Sequence, residues 1–225
     1  MAIGKTAGGL ILAGVLSASA AQFAMRHEHW RGGCTGMMTA DDRGVRFAGP
    51  KGHSWDWKYE DIQQVILEPD RIRILTYKDR NLRLGADASY EFAGKVPADT
   101  LYALWKNRMD QRFVAALPQP AAGGFSIPVK HLGRIQGSEG TLTFGEDVIV
   151  YATPAPGDSR TWRYQDIDNI SSSGPFQLSV TTFERARSHY GDRRGFNFQL
   201  KQPITEASYN QIWLQIETKN GRIQR

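Results

Sequence analysis

The sequence predicts a mainly β fold, α+β in class. It consists of two β units in tandem, barrels or sandwiches, each capped by a C-terminal amphipathic helix. Three observations lead there. First, the run Ser54-Trp55-Asp56-Trp57-Lys58-Tyr59-Glu60-Asp61-Ile62 is matched by Ser159-Arg160-Thr161-Trp162-Arg163-Tyr164-Gln165-Asp166-Ile167, with Trp, Tyr, Asp and Ile coinciding. The match resumes at Pro69 and Pro175 and runs on to Lys95-x-Pro97 and Lys201-x-Pro203. Second, apolar residues within both segments recur at every second position, the period of a strand with one buried face. Third, the period lengthens to that of a helix after Pro97 and after Pro203.

Residues 1–20 read as an export segment. Lys5 is the one charge before Arg26, an apolar stretch is densest over 9–16, and Ala18-Ser19-Ala20 fits the small-residue cleavage pattern. The stretch falls short of the roughly 20 apolar residues that a membrane span needs. The expectation is a cleaved signal and a periplasmic or extracellular protein. An uncleaved N-terminal anchor is the alternative. With a single cysteine, Cys34, no internal disulfide can form, so the hydrophobic cores must hold the fold.

Residues 26–116 form the first expected unit. Val45 and Phe47 alternate with Arg46, Trp55, Trp57 and Tyr59 share a strand face, Arg71-Ile72-Arg73-Ile74 alternates, and Tyr90 and Phe92 flank Glu91. Asp41-Asp42-Arg43-Gly44 and Gly49-Pro50-Lys51-Gly52 mark turns. Leu101, Leu104, Trp105 and Met109 then fall on one helical face. Residues 117–124, a Pro/Gly/Ala tract without periodicity, read as a linker. Residues 125–225 form the second unit, with Thr205 as a helix N-cap, Ile204 and Tyr209 as a hydrophobic staple, and Tyr209, Ile212, Trp213 and Ile216 on one face. The paired aromatics Trp57/Trp162, Tyr59/Tyr164 and Trp105/Trp213 read as core. Asp61 and Asp166 read as caps to backbone amides.

Gly140-x-Leu142-x-Phe144 with its hairpin, Trp162-x-Tyr164-x-Asp166-Ile167 with its copy Trp57-x-Tyr59-x-Asp61-Ile62, and the closing helices together resemble the pleckstrin-homology-like superfold in its bacterial or GRAM-like form. The resemblance implies a bent seven-stranded sheet capped by a helix, in a superfold that hosts many binding roles and seldom catalysis. Phosphoinositide-binding members carry basic residues in the first hairpin loop. Asp41-Asp42 and Glu146-Asp147 are assigned to that loop here, which argues against such a ligand.

No nucleophile elbow, His-Glu-x-x-His, Cys-x-x-Cys or phosphate loop is present, so an enzyme is not expected and no cofactor or metal is implied. His27-Glu28-His29 reads as the polar start of a domain and Cys34 as a small buried residue. The feature with most functional content is basic. Arg71, Arg73, Lys78, Arg80 and Arg83 cluster in one unit, and Arg185, Arg187, Arg193 and Arg194 in the same interval of the other. With a net charge of +5, such a rim fits an unknown protein, an anionic lipid or an envelope polymer, with weak membrane association and no nucleic acid. The expectation is therefore an exported, non-catalytic binding or scaffolding module. A small apolar-ligand carrier and an enzyme with an unfamiliar site stand as alternatives.

Overall fold

A computed structural model describes residues 20–29, 32–50, 52–80, 86–186 and 191–223. Residues 1–19 of the expected export segment lie outside them. Among the described residues no helix is long and apolar enough to cross a membrane. The chain is mainly β, as the alternation required. The first half runs β1 (Ala21–His29), β2 (Gly32–Ala40), β3 (Gly44–Ala48), β4 (Ser54–Lys58), β5 (Ile62–Leu67), β6 (Arg71–Asp79), β7 (Asp87–Ala93) and α1 (Ala98–Trp105). After a short β8 (Phe113–Ala115) come β9 (Phe125–His131), β10 (Ser138–Phe144), β11 (Val148–Ala152), β12 (Arg160–Arg163), β13 (Ile167–Ser171), β14 (Gln177–Arg185), β15 (Arg193–Leu200) and α2 (Glu206–Lys219).

Among the described residues, fifteen strands join one open sheet, in the order β13-β14-β15-β9-β10-β11-β12-β8-β5-β6-β7-β1-β2-β3-β4. On one side of β8 the order is 5-6-7-1-2-3-4. On the other it is 13-14-15-9-10-11-12, the same sequence of neighbours. β8 pairs antiparallel with β12 and parallel with β5, so it joins the halves. Each half buries its own apolar cluster. One gathers Phe47, Trp57, Ile72, Ile74, Phe92, Leu101 and Trp105, and the other Phe144, Trp162, Tyr164, Val180, Phe198, Ile212 and Ile216.

Local chemistry explains why the repeated residues recur. Asp61 and Asp166 accept a hydrogen bond from the backbone N–H of Lys58 and Arg163 respectively, each at 3.2 Å, and so close a 3-10 turn between two strands. Tyr59 and Tyr164 donate to the carbonyls of Asp41 and Gly145, each at 2.6 Å, tying that turn back to a neighbouring loop. Gly36 and Gly140 are glycines because a Cβ would sit 2.3 Å from the carbonyl oxygen of Ala48 or Ala152 on the adjacent strand.

The structure departs from the sequence reading in four places. The first strand begins at Ala21, not after Arg26. Phe23, Met25 and His27 turn inward while Gln22, Ala24 and Arg26 are exposed, so His27-Glu28-His29 ends a strand instead of opening a domain. The first hairpin is therefore β1–β2, and the Asp41-Asp42 and Glu146-Asp147 loops each join the second strand of a half to the third. α1 stops at Trp105, and Met109 is buried from the turn beyond it. Trp213 is 39% exposed: α2 docks through Ile212 and Ile216, and one residue turns a helix by roughly 100°, which carries Trp213 out of that strip.

Candidate functional site

The predicted basic residues do not form one rim. Arg71 and Arg73 lie on the outer face of β6, half-buried and paired with Glu91 across the ladder, with Arg73 and Glu91 in direct register. The hydrogen bond to Glu91 raises the pKa of Arg71 further. Arg194 pairs with Glu184 at 3.2 Å and stacks over Phe196. Glu184 is itself buried, accepting from Trp162 Nε1 at 3.1 Å, with Arg160 at 3.9 Å. Those cations belong to the internal electrostatics of their halves. Lys78 and Arg80 are exposed at the end of β6. Arg83 and Arg187 lie outside the described residues.

Arg185 and Arg193 do come together, in a cleft of about 380 Å³ between the two halves. Gln63, Gln64 and Leu75 line it from β5 and β6, Gln111 and Arg112 from the turn before β8, and Phe183, Arg185, Asp192 and Arg193 from the second half. Arg185 donates to Gln63 Oε1 at 3.1 Å and pairs with Asp87 at 3.4 Å, both contacts reaching across to the first half. Arg193 pairs with Asp168 and lies over the Phe183 ring. Arg112 donates to the carbonyls of Tyr59 at 3.0 Å and Ile62 at 3.1 Å, which aims its guanidinium from the first half. Three guanidiniums and three side-chain amides line the cleft with Asp192, while Asp87, Asp168 and Asp110 pair with Arg185, Arg193 and Arg112, so an anionic group would bind there by taking over guanidinium donors from those carboxylates. Arg112, Gln63, Gln64 and Gln111 were not legible from charge clustering, because they are scattered in the chain and meet only where β8 joins the halves.

A second concentration of chemistry lies at the far end of the first half. His27 Nδ1 is 3.8 Å from Cys34 Sγ, and Cys34 Sγ is 3.1 Å from His53 Nδ1. With His29 included, one donor atom from each of the four residues lies within 4.8 Å of the others. His27 and Cys34 are direct cross-strand partners in the β1–β2 hairpin, His29 is two residues on along the same face of β1, and His53 comes from the loop before β4. His27 is buried beside Trp55, at 4.7 Å between ring centroids, and Phe92, at 5.3 Å. Burial lowers its pKa, and the neighbouring His29 and His53 lower it further. The sequence placed His27, His29 and Cys34 near one another. It left out His53, which lies in the loop before β4 and is brought alongside only by the β2–β3–β4 pairing.

No family model matches the chain, and no curated protein does. Among solved structures the chain is similar to one described as the Spt16D Pob3N heterodimer, with a TM-score of 0.35 and 12% identity over 84% of this chain and 99% of that one. It is also similar to the C-terminal domain of an unknown protein from Leishmania infantum, with a TM-score of 0.30 and 16% identity over 41% of this chain and 81% of that one. Both likenesses are distant, and neither assigns a role.

Proposed function

We propose that the protein is an exported, non-catalytic binding module built from two pleckstrin-homology-like units in tandem, and that it holds an anionic group of its partner in the cleft between them. The partner is an anionic lipid surface, an envelope polymer or an acidic protein, and the shared chemistry is a phosphate or carboxylate. The observation that carries this reading is the composite cleft, where Arg185 and Arg193 of one half face Arg112, Gln63 and Gln64 of the other. The common strand order and the separate apolar cores support the tandem description. Guanidinium forks suit planar oxyanions. Lys78 and Arg80 add exposed charge worth about 1 kcal/mol each near an anionic bilayer, so attachment is weak and sensitive to salt.

The test is co-sedimentation with anionic and with neutral phospholipid vesicles over a salt series, alongside binding of a soluble acidic polymer. The double variant Arg185→Glu, Arg193→Glu should lose binding, while Arg71→Glu, on the outer face of β6 and outside the cleft lining, should keep it. Absence of binding at low salt, or binding untouched by the double change, removes the proposal.

A second reading, a small-ligand carrier, is favoured by a cleft of about 350 Å³ between β4 and β6 that Trp55, Trp57 and Tyr90 line. Native mass spectrometry of gently purified protein separates the two. A retained ligand mass supports the carrier, and a bare polypeptide mass counts against it.

A further inference from the structure

The His/Cys cluster is separate from the anion cleft and has a different chemistry. Zinc holds imidazole nitrogen at about 2.0–2.1 Å and thiolate sulfur at about 2.3 Å, so neighbouring donors of a tetrahedral site stand roughly 3.3–3.8 Å apart. The two sulfur-to-nitrogen separations, 3.1 and 3.8 Å, are close to that range without any metal. The widest separation among the four donors, 4.8 Å, closes by about 1 Å of side-chain rotation. The donors come from three separate pieces of chain: β1, β2 and the loop before β4.

The corresponding place in the second half shows what the fold does without these ligands. His131 stands opposite Ser138 in the β9–β10 ladder, as His27 stands opposite Cys34 in β1–β2. The Ser138 and Tyr151 hydroxyls are hydrogen-bonded at 2.8 Å, and Tyr151 donates to the Ser138 carbonyl at 2.9 Å, so these two side chains satisfy one another, while His131 Nδ1 is buried without a hydrogen-bond partner. In the first half Cys34 replaces the serine and Phe47 stands in the tyrosine's place, opposite Met38 as Tyr151 stands opposite Leu142. His53 precedes Ser54, whose hydroxyl donates to Gly49 O at 3.1 Å. Asp158 precedes Ser159, whose hydroxyl donates to Thr153 O at the same distance. The first half thus lacks a self-satisfied hydroxyl pair and gathers one thiol and three imidazoles. A thiol is a weak hydrogen-bond donor, and a mutual hydrogen-bond network is a poor use of these four groups. Together they are a nitrogen–sulfur ligand set of the kind that borderline-soft transition metals select.

We propose that His27, His29, Cys34 and His53 bind one transition-metal ion of the zinc class in a tetrahedral site. Four protein ligands leave no position for a water, so the site is structural or for storage and not hydrolytic. In an exported chain with a single cysteine, the ion pins β1, β2 and the following loop together, as a disulfide would in another small exported domain. Trp55 and Phe92 shield the His27 side from water, and the exposed His29 gives the ion its way in.

The test uses the untagged full chain, stripped with a chelator and titrated with cobalt(II) alone. One equivalent should produce the strong visible bands of tetrahedral cobalt and a near-ultraviolet thiolate-to-cobalt charge-transfer band. Cys34→Ser should abolish the charge-transfer band, and His53→Ala should weaken binding at least tenfold, the low end of what even an outer-sphere partner costs. His29→Ala changes an exposed residue that the fold does not need, and it should weaken binding at least as much. His131→Ala, in the second half, should change nothing. Zinc should displace the cobalt and raise the unfolding temperature of the wild type but not of Cys34→Ser. A wild-type protein without the charge-transfer band overturns the proposal, as does a stoichiometric band that survives Cys34→Ser or binding indifferent to His29→Ala.

Discussion

At Gly36 the backbone of β2 lies against β3 so closely that a methyl group would meet the Ala48 carbonyl oxygen at 2.3 Å. Gly36→Ala must push the strands apart, and overpacking of this kind costs about 1–3 kcal/mol. A lower urea midpoint with an unchanged slope checks it. Asp166 carries a different strain. Burial, opposed by its hydrogen bonds and ion pair with Arg163, lifts its pKa from 3.8 to about 6. A carboxyl with a raised folded-state pKa contributes stability that is fully present below its unfolded value and is lost as pH rises through the folded one. Unfolding measured from pH 4 to pH 7 should therefore show the wild type losing stability relative to Asp166→Asn as pH rises. A constant difference across that window would show that Asp166 does not titrate there. The capping role of Asp166 was legible in the sequence, because a carboxylate after Trp-x-Tyr recurs in both halves. Its burial was not, since the groups that enclose it are distant in the chain.

Elements were legible where short alternating runs were bounded by turn residues or a helix cap. β3, β4, β6 and β7 followed from alternation and turn residues, and α2 from its Thr205 cap, which accepts from the Ser208 N–H at 3.1 Å. Thr205→Ala should cost about 0.5–2 kcal/mol, read as a lower thermal midpoint with loss of helical signal. β1 was hidden because its small N-terminal residues continue the run that reads as an export segment, while its end carries charge and imidazole. β8 was hidden because three residues show no period. These two elements place the candidate sites: β1 supplies His27 and His29, and the turn before β8 supplies Gln111 and Arg112. The basic rim failed as a single surface because carboxylates meet the arginines in the fold, Glu91 and Glu184 from the adjacent strand, Asp168 from two strands away and Asp87 from the other half.

For the whole molecule, what matters is how firmly the halves are held as one body. β8 pairs with a strand of each. The Thr161 hydroxyl reinforces the join, donating to the Leu117 carbonyl at 2.8 Å and accepting from the Gln119 N–H at 2.9 Å. Thr161→Val keeps the shape and removes both bonds, so it should cost about 1–3 kcal/mol for the polar groups left unpaired and weaken anion binding without altering any cleft residue. Calorimetric unfolding and the vesicle assay read the two effects separately. The proposed cleft requires both halves to contact a single anionic group. NMR shift mapping with inorganic polyphosphate reads this out. Simultaneous perturbation of Gln63, Gln64 and Arg112 in the first half and of Arg185 and Arg193 in the second is the predicted result. Shifts confined to one half, or to Lys78 and Arg80 alone, would contradict it.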